Sequence, residues 1–205
     1  MTGPATGHRS PAELISYLLE PKNWLIVTLP LIGGHADGMA GVGWGLLAAL
    51  FAAVLPTMFV SYGIRRGRWD DRNVGARRPR LIVLGVITAS VAAGLTLLIV
   101  LGAPVMVTGY LAFMLASVAV LAAITTAWKI SIHCAVASGS VAILALSYGP
   151  LVLPAFGVVV LLGWSRVSLK DHTTAQVGGG RVLGAAAAGL AYATLTGTAG
   201  LAASW

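Results

Sequence analysis

Residues 81–101 read LIVLGVITASVAAGLTLLIVL, and after Gly102-Ala103-Pro104, residues 105–128 read VMVTGYLAFMLASVAVLAAITTAW. Neither run holds a charged side chain. A helix rising 1.5 Å per residue needs about 20 apolar residues to cross roughly 30 Å of hydrocarbon. Each run meets that length, and the short Gly-Ala-Pro connection makes them antiparallel neighbours. A protein that spends this much of its chain on uninterrupted apolar helix is an integral membrane protein, since only helices and closed barrels satisfy their backbone in lipid.

The rest of the chain agrees. Of 205 residues, 58% are hydrophobic and 9% charged, against roughly 25% charged in soluble domains. Val42 to Ile64 reads as a further span with a kink at Pro56, and Val182 to Ser204 as another. In the latter region Gly180 and Gly184, and Ala185 and Gly189, form small-xxx-small pairs that permit close helix contact. Ile132 to Leu146 and Leu151 to Trp164, parted by Ser147-Tyr148-Gly149-Pro150, read as a helical hairpin. Asn23 to Gly34, broken by Pro30, is marginal for a full crossing. The expected fold is therefore all-α, a polytopic bundle of six or seven spans. Residues 1–64 would supply an N-terminal segment and the first spans, and residues 65–205 the larger membrane domain. The N-terminal residues lack the pattern of a removable signal peptide.

Charge sorts the connections. Arg65, Arg66, Arg68, Arg72, Arg77, Arg78, Arg80, Lys129, Arg166, Lys170 and Arg181 fall on one set. The opposite set, Gly34 to Gly41, Gly102 to Pro104 and Ser147 to Pro150, has no Lys or Arg. The positive-inside rule places the basic set in the cytoplasm. The net charge of +7 is thus a topology signal or an anionic-lipid contact, and no nucleic-acid partner is expected. Cys134 is the single cysteine, which excludes an intrachain disulfide or a cysteine zinc site and reads as a packing residue.

Three polar clusters interrupt the apolar pattern: Asp70 to Pro79, Lys129 to His133, and Ser165 to His172 followed by Gln176. Two spans separate each from the next, so all three return to one membrane face and can form one site. Arginine grips phosphate oxygens with a planar fork, and histidine serves as nucleophile or acid near neutral pH. Arginines with two histidines therefore point to phosphate chemistry. The plainer reading of His133 and His172 is a polar bridge between helices. His8 and His35 lie outside the clusters and read as solvent-facing. Asp70-Asp71 resembles half of a magnesium-diphosphate site, but no second aspartate cluster faces it.

These residues resemble the type 2 phosphatidic acid phosphatases, related to vanadium haloperoxidases, and in particular a divergent bacterial membrane branch. The third family motif is Ser-Arg, five residues, His, three residues, Asp; Ser165-Arg166 and His172 match, with Gln176 in the last place. The second is Pro-Ser-Gly-His, here Ile130-Ser131-Ile132-His133. The first is Lys, six residues, Arg-Pro; Arg78-Pro79 match, with Asp71 at the Lys position and Arg72 beside it. Trp128-Lys129 and Gly163-Trp164 fit the branch pattern, and the likeness covers Arg72 to Gln176.

The resemblance implies a phosphatase that needs no metal and no other cofactor and works through a phosphohistidine. His172 would be the nucleophile and His133 the acid that protonates the leaving group. Arg166, Arg78, Ser131 and Arg72 would hold phosphate oxygens, and Gln176 would orient His172 without supplying a carboxylate's charge. The expected substrate is a lipid-linked phosphate or diphosphate in the bacterial inner membrane. An isoprenoid phosphate is favoured over phosphatidic acid, with the site on the cytoplasmic face. Two alternatives keep the same residues: an isoprenoid-diphosphate transferase or cyclase, and a non-catalytic lipid-phosphate binder or transporter. Association into a homo-oligomer is compatible with the pattern.

Overall fold

The computed structural model describes residues 10–68 and 77–202, with side chains at 10–68 and 81–194. Among the described residues the chain is helical throughout, without strands. Helix α1 (Pro11–Leu18) is followed by α2 (Pro21–Ala49), a π-helical turn (Leu50–Val54), α3 (Leu55–Arg65), α4 (Arg77–Val100), α5 (Val105–Ala127) and α6 (Ile132–Tyr148). A 3₁₀ segment (Pro150–Ala155), α7 (Phe156–Ser168) and α8 (Thr174–Ala202) complete it. Among the described residues, four helical stretches are long and apolar enough to cross a membrane: Pro11–Arg65, Leu81–Val100, Val105–Ala127 and Pro150–Ser168. Ile132–Tyr148 is apolar but has only 17 residues.

Helix α2 is not one rod. Asp37 (φ −153°, ψ 35°) and Gly38 (φ +55°, ψ −139°) leave helical geometry, and a positive φ is cheap only at glycine. A Cβ on Gly33 would collide with the Gly41 carbonyl, and one on Gly45 with the backbone at Leu29 and Pro30. A straight helix would hold residues 33 and 41 about 12 Å apart, so the two arms fold back on each other as a glycine-lined hairpin. Asn23 to Gly34, marginal as a crossing by its sequence, is thus the first arm of this hairpin. Pro30 sits inside the arm without ending it.

At Pro56, where the sequence predicts a kink, the helix carries a π-helical turn. In the π-helical turn the Leu55 N–H reaches back to the Leu50 carbonyl. The Phe51 carbonyl then faces a proline nitrogen that has no hydrogen to give. Ser90 Oγ of α4 donates to it at 2.6 Å, the kind of repair a helix in lipid requires. Phe51 also packs its ring against Gly94, so the irregular turn is locked to its neighbour.

Helices α6 and α8 make the closest pairing. A Cβ on Gly184 would strike the Ala135 carbonyl, and one on Gly180 would lie 2.5 Å from the Ser131 carbonyl. Ser138 Oγ donates to the Arg181 carbonyl at 2.9 Å. Lipid tails offer no hydrophobic gain for helix association, so backbone approach and such hydrogen bonds hold the pair. The second small pair behaves differently, because Gly189 has nothing within 4 Å of its would-be Cβ.

Alternation of the rods gives the bundle two ends. One end gathers the start of α2, the α5–α6 connection and the α7–α8 connection. At the other, near the hairpin tip, Tyr148 donates to the Leu31 carbonyl at 2.6 Å and stands 5.0 Å, centroid to centroid, from exposed His35.

Candidate functional site

The site forms where two connections meet at the first end. Helix α7 closes with Lys170 in the left-handed region, φ 58°, where glycine is usual. That turn brings the Asp171 and His172 amides back to a single acceptor, the Arg166 carbonyl, at 3.2 and 3.3 Å. The Arg166 side chain meets the same loop. Its Nη2 lies 3.0 Å from Asp171 Oδ2, and its Nη1 donates to Ser16 Oγ of α1 at 2.6 Å. Arg166 is 2% exposed, a depth at which a guanidinium must be paired.

Helix α8 begins with a capping box. Gln176 N donates to Thr173 Oγ1 at 3.3 Å, and Thr173 N donates to Gln176 Oε1 at 3.1 Å. The same Gln176 oxygen lies 3.3 Å from His172 Nδ1, and the Lys129 carbonyl lies 3.2 Å from it. Two acceptors at Nδ1 place the proton there, assigned from the partners, and leave Nε2 as the basic nitrogen of the neutral ring. His172 lies in the loop before α8, so Gln176 reaches it through the cap and not along one helix face. The α5–α6 connection is tied in twice more: Ser131 N donates to the Gln176 carbonyl at 3.2 Å, and the Trp128 ring lies over Gly179.

A cavity of about 250 Å³ opens against these loops. Its polar end is formed by Lys22, Lys129, His133, Arg166, Asp171 and His172, with Glu20 beside Lys22. Its walls are mainly apolar: Leu25, Ala52 and Ala53 from the hairpin and π turn, Leu84 and Ile87 from α4, Met114 and Val118 from α5, with the hydroxyls of Thr57 and Ser61 from α3 among them. Residues from both sides of position 64 line it, so the N-terminal spans are part of the site.

Of the residues singled out in the sequence, His133, His172 and Arg166 line this one cavity, and Gln176 stands behind His172. Ser131, expected at the phosphate, is fully buried at the start of α6 with its carbonyl against α8, off the cavity wall. Arg78 falls in the first turn of α4, with its side chain outside the described residues, and Arg72 lies outside them altogether. Arg181, which the charge pattern assigns to a loop, is inside α8; its Nη2 donates to the Val159 and Val160 carbonyls of α7 at 3.2 and 3.1 Å.

The sequence motifs also missed the α1 end of the site. Ser10-Pro11-Ala12-Glu13 is a capping box with Pro at the first turn, which marks α1. Helix α1 lies along α7 and delivers Ser16 to Arg166, while Lys22, paired with Glu20, reaches the cavity from the first turn of α2. Compared with known proteins, the chain matches no family model, no curated protein and no solved structure.

Proposed function

We propose that the protein is a multi-pass membrane phosphatase that hydrolyses a lipid-linked phosphate or diphosphate, with an isoprenoid phosphate as the favoured substrate. One observation carries this reading: two histidines some 40 residues apart, one in the first turn of α6 and one in the α7–α8 connection, line a single cavity that is cationic at its end and mainly apolar along its walls. That division matches an amphiphile with an anionic head and a hydrocarbon tail. The resemblance to the type 2 phosphatidic acid phosphatases supplies the roles.

His172 Nε2 attacks phosphorus, and the bond from phosphorus to the lipid oxygen breaks. His133 gives its proton to that oxygen, so the lipid leaves as an alcohol, or as a monophosphate where a diphosphate is cut. Water then attacks the phosphohistidine, His133 takes the water proton, and inorganic phosphate departs. The Nδ1 proton, held by the Lys129 carbonyl and Gln176, puts the ring's basic lone pair on Nε2 and steadies the positive ring that forms. Lys22, Lys129 and Arg166 face the phosphate charge, and Arg78 and Arg72 complete the set in this reading. The bundle crosses the membrane seven times, counting both hairpin arms, with its basic end in the bacterial cytoplasm.

Phosphate release from prenyl phosphates and phosphatidic acid by the purified protein, with EDTA present, tests the proposal. Release that is lost in both His172→Ala and His133→Ala is the expected result. Release that survives His172→Ala overturns it. A second reading, a lipid-phosphate binder without turnover, draws on the Arg166 side chain being engaged by Asp171 and Ser16; it predicts binding that His172→Ala leaves intact.

A further inference from the structure

A second, smaller cavity of about 70 Å³ lies between α5, α6 and α8. Its lining is almost wholly apolar, and it shares Leu25, Met114, Val118, Leu121 and Val136 with the first cavity. The shared wall runs in one direction. On α5 the first cavity reaches Met114, and the second continues to Tyr110; on α6 the first stops at Val136, and the second reaches Gly139. On α8 the second extends to Ala191, about 25 Å along the helix from its start at 1.5 Å per residue. The two are successive chambers on one line leading from the histidines toward the membrane centre.

We propose that the inner chamber receives the distal end of the substrate's hydrocarbon chain and gauges its length. This rests on the phosphatase reading for the head group, but the chamber's own chemistry argues for the tail. Beyond Leu183 its α8 wall is built of small side chains, Ala187, Ala188 and Ala191, so the space exists because no larger residue fills it. The tail comes from lipid that is itself apolar, so the gain is not transfer from water but the dispersion contacts a chain makes on filling otherwise empty space; seating a further isoprene unit in a cavity of this size raises affinity on the order of tenfold. A chain too short to pass the shared wall gains nothing.

The test uses the full chain in phosphatidylcholine nanodiscs with geranyl, farnesyl and geranylgeranyl monophosphates. In the unaltered protein kcat/KM should rise at least tenfold from geranyl to geranylgeranyl. Ala187→Phe, which fills the inner chamber, should reduce that ratio at least tenfold; Ser117→Phe reaches the same space from α5 if the first variant does not fold. Thermal stabilisation by the same three phosphates is read in parallel. If no phosphate is released from any of them, the phosphatase reading fails, while a chain-length increment in stabilisation that Ala187→Phe removes still upholds the chamber. A length dependence that survives both variants overturns the inference. So does its absence in the unaltered protein, which would leave the chamber to bulk bilayer lipid.

Discussion

Ser16 Oγ and Arg166 Nη1 lie 2.6 Å apart although 150 residues separate them. The contact joins the short helix α1 to the last turn of α7, whose arginine carbonyl also anchors the amide of His172. A hydrogen bond to a buried charge contributes about 1.5–3 kcal/mol. Ser16→Ala should therefore lower Tm by about 3–12 °C at roughly 2–4 °C per kcal/mol, and lower phosphate release with it. Ser16→Thr keeps the hydroxyl and should recover most of both. Thermal unfolding and turnover in the same detergent check this; a wild-type Tm in Ser16→Ala would show that α1 does not support Arg166.

Gln176 separates two functions that its sequence position conflates. Its side-chain oxygen caps α8 through Thr173 and accepts from His172 Nδ1. Gln176→Ala removes both interactions, each about 1 kcal/mol, and should lower kcat by roughly three- to tenfold. Gln176→Glu keeps the acceptor and places a charge on the imidazole, where a charge-assisted bond is about twice as strong. Its kcat should rise by a similar factor while Tm changes little. A fall in kcat for Gln176→Glu would argue against an imidazolium forming at His172.

How far the sequence discloses this site depends on which signal each residue carries. The apolar runs from Leu81 to Trp128 define α4 and α5 because length and hydropathy suffice for a helix in lipid. The hairpin at Asp37 and Gly38 leaves no periodic mark in the sequence, since its arms meet through glycines whose pairing is set by tertiary contact. His133, His172 and Arg166 converge because an even number of rods returns their loops to one end. Thr173-Thr174-Ala175-Gln176 is a legible capping box, although Gln176 also stands in the motif position of an aspartate. Arg181 resembled a loop arginine because nothing in its neighbourhood announces that α8 has already begun. Lys22 and Glu20 belong to no motif and could be found only by folding the chain.

Lys170 carries the one positive φ among the described non-glycine residues. An L-residue there costs roughly 1–2 kcal/mol, and the turn it makes aims His172 at the cavity. Lys170→Gly should be tolerated, with turnover within about twofold and Tm equal or higher. Lys170→Val, β-branched and therefore a genuine outlier at positive φ, should lower both Tm and turnover. Equal behaviour of the two variants would mean that the turn does not position His172.

The α6–α8 contact yields the sharpest structural test, because two glycines on one helix should respond oppositely. A Cβ at Gly184 meets the Ala135 backbone, which cannot move aside as a side chain would, whereas a Cβ at Gly189 meets nothing within 4 Å. Gly184→Val should force the helices apart at the pair that ties Ser131 to Gln176. The expected result is loss of the monodisperse species on size exclusion, or a Tm lower by about 2–12 °C, from overpacking that typically costs about 1–3 kcal/mol at roughly 2–4 °C per kcal/mol. Gly189→Ala should leave Tm unchanged or raise it slightly, since alanine favours helix by up to about 1 kcal/mol over glycine. If both variants unfold the protein alike, α8 does not pack on α6 through the Gly180–Gly184 face.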